Sequence, residues 1–257
     1  MNENLLTNRI RKEVASLGDA RSRRESGCFV AEGSKCVRDT WGHFECVHLF
    51  ATSRWYDENR SRLAGFEPIV VSHGEIGRMS QLKTPGEVIA VYRIPERQFE
   101  AERFSSGLAI ALDGVQDPGN LGTIMRVADW FGVENILCSP DTVDCFNPKV
   151  VQATMGAIAR VNVVYADLCE AFGQLPGVPL FGTFLDGNDI YKERLPESGI
   201  IVMGNEGKGI SPEVEAFVTQ RLYIPPYPAD SLHVESLNVS MATAITLSQF
   251  RSRTLNP

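Results

Sequence analysis

The mostly apolar run Leu108–Val115 passes directly into turn chemistry, Asp117-Pro-Gly-Asn within Gln116–Gly122. Leu121, Ile124, Met125 and Ala128 then recur on one helical face. A short buried strand, a glycine-bearing turn and a helix start thus share one stretch, and the alternation continues to the end of the chain. Strands are expected at Leu108–Val115, Asn135–Cys138, Val161–Tyr165, Leu180–Thr183, Ile200–Met203 and Leu222–Ile224. Helices are expected at Leu121–Phe131, Pro148–Ile158, Leu168–Gln174, Pro212–Phe217 and Val239–Arg251. Strand and helix in strict turn indicate a mostly parallel sheet with helices on both faces, an α/β fold. In such sheets ligands bind beyond the carboxyl ends of the strands.

Upstream, residues 1–18 read as a helix on Leu5, Leu6, Ile10, Val14 and Leu17, ended by Gly18-Asp19. Shorter pieces follow. Strands are expected at Cys28–Ala31, Cys46–Ala51, Pro68–Val71 and Val88–Tyr92, with helices at Ser34–Thr40, Arg54–Leu63 and Gly74–Met79. Residues 1–93 therefore read as a small α/β sandwich. Ile94–Ser106 is charged and poor in aliphatic side chains and reads as a linker to a second domain at residues 107–257.

No apolar run approaches the ~20 residues of a membrane span. The start, MNENLLTNRIRKEV, is polar and mixed in charge, unlike a signal peptide or a lipid-modified terminus. Cys28, Cys36, Cys46, Cys138, Cys145 and Cys169 form no CxxC pair and have no histidine at ligand spacing. They read as reduced thiols of a cytoplasmic protein, with no metal site expected. The net charge of −7 argues against a protein that coats nucleic acid non-specifically. Within residues 1–38, however, eight basic side chains face five acidic ones. The densest basic run is Arg21-Ser-Arg23-Arg24, and Lys35 follows. These four are candidate phosphate contacts, with a solvated loop as the alternative reading.

Three turns after strands could carry chemistry. In the first, Asn120 is placed to cap the following helix and Arg126 lies opposite its apolar stripe. Such a helix start presents backbone N–H groups to an anion or a nucleotide, although the GxGxxG spacing of a dinucleotide fold is missing. The second is Gly204-Asn-Glu-Gly-Lys-Gly-Ile210, where GxxxxGK[ST] is not satisfied. Its glycines let the backbone wrap a ligand, and Glu206 disfavours phosphate and favours a cationic or hydroxyl-bearing one. The third runs from Ile224-Pro225-Pro226 to Ser236-Leu-Asn-Val-Ser, which opens a helix apolar or small on nearly all sides. Such a helix must be buried against the sheet or against another subunit. Asn120, Arg126, Glu206, Ser236 and Asn238 all fall in or just after turns at one edge of the expected sheet.

These three segments resemble, in order and spacing, the motifs of the SpoU (TrmH-type) RNA 2′-O-ribose methyltransferases of the SPOUT superfamily. The first is Asn120-x-Gly122-x-x-x-Arg126-x-Ala128, the second Met203-Gly204-x-Glu206-x-x-Gly209 and the third Ser236-Leu237-Asn238-Val239-Ser240. The stretch Phe146–Ala157 is similar to the family's sequence between the first two. Phe29-Val-Ala-Glu-Gly33 and Gln81–Val91 are similar to an L30-like substrate-binding domain carried by many members.

The resemblance implies a trefoil knot in the C-terminal domain, which pattern reading alone would never propose. It also implies a homodimer through that domain, and S-adenosylmethionine held by Gly204, Ile224 and Leu237 with Met203, Thr183 and Ser236. It gives Arg126 the central catalytic place, with Asn120, Glu206, Ser236 and Asn238 orienting it and the ribose. RNA becomes the partner of Arg21, Arg23, Arg24 and Lys35. The substrate it implies is 23S ribosomal RNA, with tRNA as the alternative. A non-catalytic RNA-binding or ribosome-assembly protein would be signalled by loss of Arg126 or Asn238, and both are present. A small-molecule methyltransferase would leave the L30-like domain without a purpose. One departure is the turn Pro226–Glu235, longer than in the family, where Tyr227 and His233 either approach the site or decorate the loop.

Overall fold

The computed structural model of the chain describes residues 6–228, 232 and 234–255, the last three by backbone alone. By its contacts the chain divides into two compact units. One is Met1–Glu96 with Asp144–Ala159; the other is Arg97–Val143 with Arg160–Pro257.

In the first unit, β1 (Cys28–Glu32), β2 (Cys46–Ala51), β3 (Ile69–Val70) and β4 (Val88–Arg93) form a sheet in the order β1-β4-β2-β3. Pairing is antiparallel except between β2 and β3. The helix Asn8–Ser16 lays Val14 onto a core that includes Leu17, Val30, Phe50, Ile76 and Ile89. Two expectations are corrected here. The basic run is not a loop but the helix Ala20–Ser26, because the Asp19 carboxylate accepts from the Ser22 N–H and Gly27 closes the end at φ 62°. Arg23 is not available to RNA, being 1% exposed. Its Nε and Nη2 donate to Asp144 Oδ2 at 2.9 and 2.7 Å, and its Nη1 donates to the carbonyls of Leu17 and Gly18 at 2.8 and 3.0 Å. Together with a ring contact between Phe29 and Phe146 at 4.7 Å, this ties the segment Asp144–Ala159 into the first unit.

Glu32, at the end of β1, is 4% exposed and accepts from the Ser80 hydroxyl and from the Gln81 N–H at 2.8 Å. It thereby joins the two N-terminal stretches singled out in the sequence. Burial pushes its carboxyl pKa up, opposed by these two hydrogen bonds. The folded chain therefore holds this proton more tightly than the unfolded chain. The stability linked to it is present below the ordinary carboxylate range and is lost as pH rises through the raised folded value. Glu32→Gln keeps an acceptor and removes the titration. Thermal unfolding from about pH 4 to about pH 8 should show the wild type losing ground to the variant as pH rises; parallel curves contradict this.

The second unit carries β5 (Leu108–Leu112), β6 (Asn135–Cys138), β7 (Asn162–Tyr165), β8 (Leu180–Asp189), β9 (Gly199–Met203) and β10 (Gln220–Tyr223). Their order is β10-β8-β9-β5-β6-β7, with every pairing parallel. All residues of β5 and β9 are buried, as a sheet covered on both faces requires. The presumed linker is partly structured. Ala101–Ser105 is a short helix, and Phe104 is fully buried and stacks on Phe99 at 5.3 Å between ring centres. The strand β8 runs six residues past the expected Thr183, to Asp189. Its register against β10 shifts between Arg221 and Leu222. Gly187 permits this close approach, since a Cβ there would lie 2.5 Å from the Leu222 carbonyl carbon. The last helix, Val239–Leu255, packs on the helix Pro118–Trp130, and Arg251 donates to the carbonyls of Phe131 and Gly132. Among the described residues no helix is long and apolar enough to cross a membrane.

Candidate active site

The glycine loop after β9 is knit to the turn after β5. The Asp113 N–H donates to the Met203 carbonyl at 2.9 Å, and Asp113 Oδ2 accepts from the Ser211 N–H at 2.7 Å. Asn205 Nδ2 donates to the Gly114 carbonyl at 2.7 Å, while its Oδ1 accepts from the N–H groups of Gly207 and Lys208 at 2.9 and 3.1 Å. Asn205 and Gly209 also exchange backbone hydrogen bonds, both at 2.9 Å. Gly204 has no room for a side chain, because a Cβ would lie 2.2 Å from the Gly209 carbonyl carbon. The loop is therefore a braced structure that holds Glu206 in a fixed place.

Asn120 does not cap its helix. Asp117 does, accepting from the Asn120 N–H at 2.9 Å, and this leaves the Asn120 side chain for other work. Its Nδ2 donates to Glu206 Oε1 at 2.8 Å, and its Oδ1 accepts from Asn238 Nδ2 at 2.9 Å. Asn238 in turn uses its Oδ1 for the N–H and hydroxyl of Ser240 at 3.0 and 2.6 Å. That helix start dictates the direction of the whole chain. An Asn238 oxygen committed to it leaves only the amide hydrogens for Asn120, whose own amide hydrogens then point at the Glu206 carboxylate. Glu206 and Asn238, 86 and 118 positions away in the sequence, are thereby both in direct contact with Asn120.

Arg126 lies on the same helix as Asn120, six residues on and roughly 9 Å further along its axis. It is exposed and makes no hydrogen bond or ion pair among the described residues. Ser236 and Leu237 are also exposed, the latter by 47%. Met203 is buried, and the half-buried Thr183 hydroxyl lies 3.6 Å from its sulfur. Among the described residues, neither Ile224 nor Leu237 makes a backbone hydrogen bond of the turn or loop kind. In the first unit, Arg21 pairs with Glu25 at 2.7 Å and Lys35 with Asp39 at 2.5 Å, whereas Arg24 is exposed. Tyr227 is 93% exposed, and His233 lies outside the described residues. Sequence reasoning missed Asp113, Asp117 and Asn205. The only signal for them was the position of each in a turn immediately after a strand.

Residues 107–248 match the model of the SpoU rRNA methylase family, and residues 8–90 match that of the MRM3-like substrate-binding domain. The 23S rRNA (guanosine(2553)-2′-O)-methyltransferase of Bacillus subtilis is 30% identical over 93% of this chain and 95% of its own length. A structure described as a TrmH-family RNA methyltransferase from Porphyromonas gingivalis superposes with a TM-score of 0.86 at 38% identity, covering 97% of this chain and 99% of that one. The S-adenosylmethionine-bound structure of an rRNA methyltransferase from Sinorhizobium meliloti superposes with a TM-score of 0.83 at 27% identity, covering 97% and 96%.

Proposed function

The chain belongs to the SpoU rRNA methylase family, and we propose that it is an S-adenosylmethionine-dependent methyltransferase acting on ribose 2′-hydroxyls of 23S ribosomal RNA. The observation that carries this reading is the hydrogen-bonded chain Asn238–Asn120–Glu206, which unites three separated motifs at the start of the helix that also carries the exposed Arg126. The direct test incubates the protein with S-adenosylmethionine labelled in its methyl group and with transcripts of 23S rRNA or tRNA. Label recovered as a 2′-O-methylnucleoside from 23S rRNA is the expected result; label on a base, or on tRNA alone, contradicts it.

The residues at the strand ends fit the cofactor. Ile224 and Leu237 offer backbone groups that no turn among the described residues uses, Thr183 offers a half-buried hydroxyl, and the side-chain-free Gly204 lets the backbone close in. These four, with Met203 and Ser236, would hold the group, which supplies a methyl carbon on a cationic sulfur. A ribose hydroxyl is a weak nucleophile that must lose its proton in or near the transition state of an in-line displacement. A guanidinium group is a planar cation, so the natural role of Arg126 is to stabilise negative charge growing on the 2′-oxygen. Asn120, held from both sides, keeps the Glu206 carboxylate fixed, and Ser236 and Asn238 place the third motif against the ribose.

The same reading assigns residues 1–93 to an L30-like substrate domain, 94–106 to the linker and 107–257 to a knotted methyltransferase domain. Support for the knot comes from the loop after β9 closing on the turn after β5, with the third motif bonded to both sides through Asn120. A homodimer through this domain would cover Trp130 and Met241, which are 85% and 57% exposed on the packed helix pair. The cytoplasm suits both an rRNA substrate and the free thiols of Cys28, Cys36, Cys46 and Cys169. RNA docking falls to Arg21, Arg24 and Lys35. Arg21→Glu/Arg24→Glu should weaken RNA binding about ten-fold and flatten its salt dependence, measured by filter retention at several salt concentrations. Unchanged binding would return these residues to the role of solvated surface.

A further inference from the structure

The first unit contains a cleft that the proposed reaction does not use. It is lined by Val37, Arg38, Trp41, Trp55, Asn59, Arg62 and Leu63, drawn from the helices Ser34–Thr40 and Ser53–Asn59 and the residues that follow each. Arg38 and Arg62 are exposed and make no ion pair or hydrogen bond among the described residues. Trp41 is half-buried and is held in orientation by an edge-to-face contact with Phe66 at 5.5 Å. Asn59 is 4% exposed; its Nδ2 donates one hydrogen to the Trp55 carbonyl at 2.8 Å, which sets the orientation of the amide and leaves Oδ1 as an acceptor. The cleft, at about 150 Å³, is smaller than the sites that enclose free small ligands, so it suits one part of a larger molecule anchored elsewhere.

We propose that this cleft is a docking subsite for one unpaired nucleotide of the RNA substrate, which rests on the methyltransferase reading above. The base stacks on Trp41 and donates an exocyclic amino hydrogen to Asn59 Oδ1, while Arg38 and Arg62 meet the flanking phosphates. Each element follows from the chemistry on the wall. Aromatic faces bind unstacked bases, an amide oxygen held in place by the bond to Trp55 accepts from amino-bearing bases, and two unpaired guanidinium groups call for a polyanion. The exposed guanidinium pair disfavours an apolar peptide as occupant.

The test uses the full-length protein with a 23S rRNA transcript as methyl acceptor. Arg38→Ala/Arg62→Ala should raise KM for the transcript about ten-fold, with kcat and S-adenosylmethionine affinity unchanged. It should also reduce the slope of log affinity against log salt by about 1.4, the effect of two single-strand phosphate contacts. Trp41→Leu should raise KM by about ten-fold without changing that slope. Short oligo(C) should compete with the transcript more strongly than oligo(U), and Asn59→Ala should erase the difference. Unchanged KM and slope in the double arginine variant, whose side chains lie on the surface, overturn the proposal. Equal competition by the two oligonucleotides overturns the amino-group recognition. A wild-type protein that fails to methylate any RNA sinks the reaction; a wild type that methylates while these variants match it sinks the cleft alone.

Discussion

Arg126→Ala is expected to lower methyl transfer by about 10³-fold, equivalent to ~4 kcal/mol of transition-state stabilisation. S-adenosylmethionine affinity should stay within a few-fold, and folding should not change. The size follows from the role. A guanidinium aimed at an oxygen that gains charge only as the methyl moves acts in the transition state and hardly at all on the ground state. The specificity of the effect follows from the surroundings. Arg126 is exposed and has no partner among the described residues, so removing it breaks nothing on which the fold depends. Isothermal titration with S-adenosylmethionine beside a tritiated-methyl assay separates the two quantities. Arg126→Lys retains the charge without the planar fork and should recover only part of the rate. Normal turnover in Arg126→Ala would remove the residue from the reaction.

The second large effect is on stability. Arg23→Ala should cost about 3 kcal/mol, at the lower end of the range for breaking a buried ion pair. The low end applies because Asp144 keeps 37% of its side chain in water and so is not stranded. The guanidinium itself is 1% exposed and satisfies two carbonyls besides the carboxylate. Its loss leaves the Leu17 and Gly18 oxygens without that donor and releases the segment that begins at Asp144. Arg24→Ala, one position along and exposed, should stay within about 0.5 kcal/mol of wild type. Urea unfolding followed by tryptophan fluorescence compares them; equal losses in the two variants would contradict the assignment.

The contrast between these neighbours shows where reading the sequence stops. The alternation of strand and helix was legible because apolar periodicity reports it directly. Ser34–Thr40, Cys46–Ala51 and Asn135–Cys138 lie where that periodicity puts them. The helix Ala20–Ser26 has no apolar stripe. Its one buried side chain is an arginine whose partner lies 121 positions away, and no local pattern carries that. The short helix Ala101–Ser105 has no apolar periodicity, because a single phenylalanine, Phe104, anchors it. The far half of β8, Phe184–Asp189, carries Asp186, Gly187 and Asn188, residues that read as a turn and here serve a register shift. At the site, the three motifs were visible as residues after strands. What joins them was not: Asn120 looked like a helix cap, and only the presence of Asp117 in that role leaves its amide free to connect Asn238 with Glu206.

Arg126-dependent methylation of a 23S rRNA ribose is the expected activity of this chain. Mapping 2′-O-methylated nucleotides across total RNA from a deletion strain tests it most directly, with the wild-type gene and Arg126→Ala each supplied back. A 23S rRNA ribose methylation that disappears on deletion, returns with the wild-type gene and does not return with Arg126→Ala is the predicted result. A complete 23S rRNA methylation map in the deletion strain, or a mark missing only from tRNA, would contradict it.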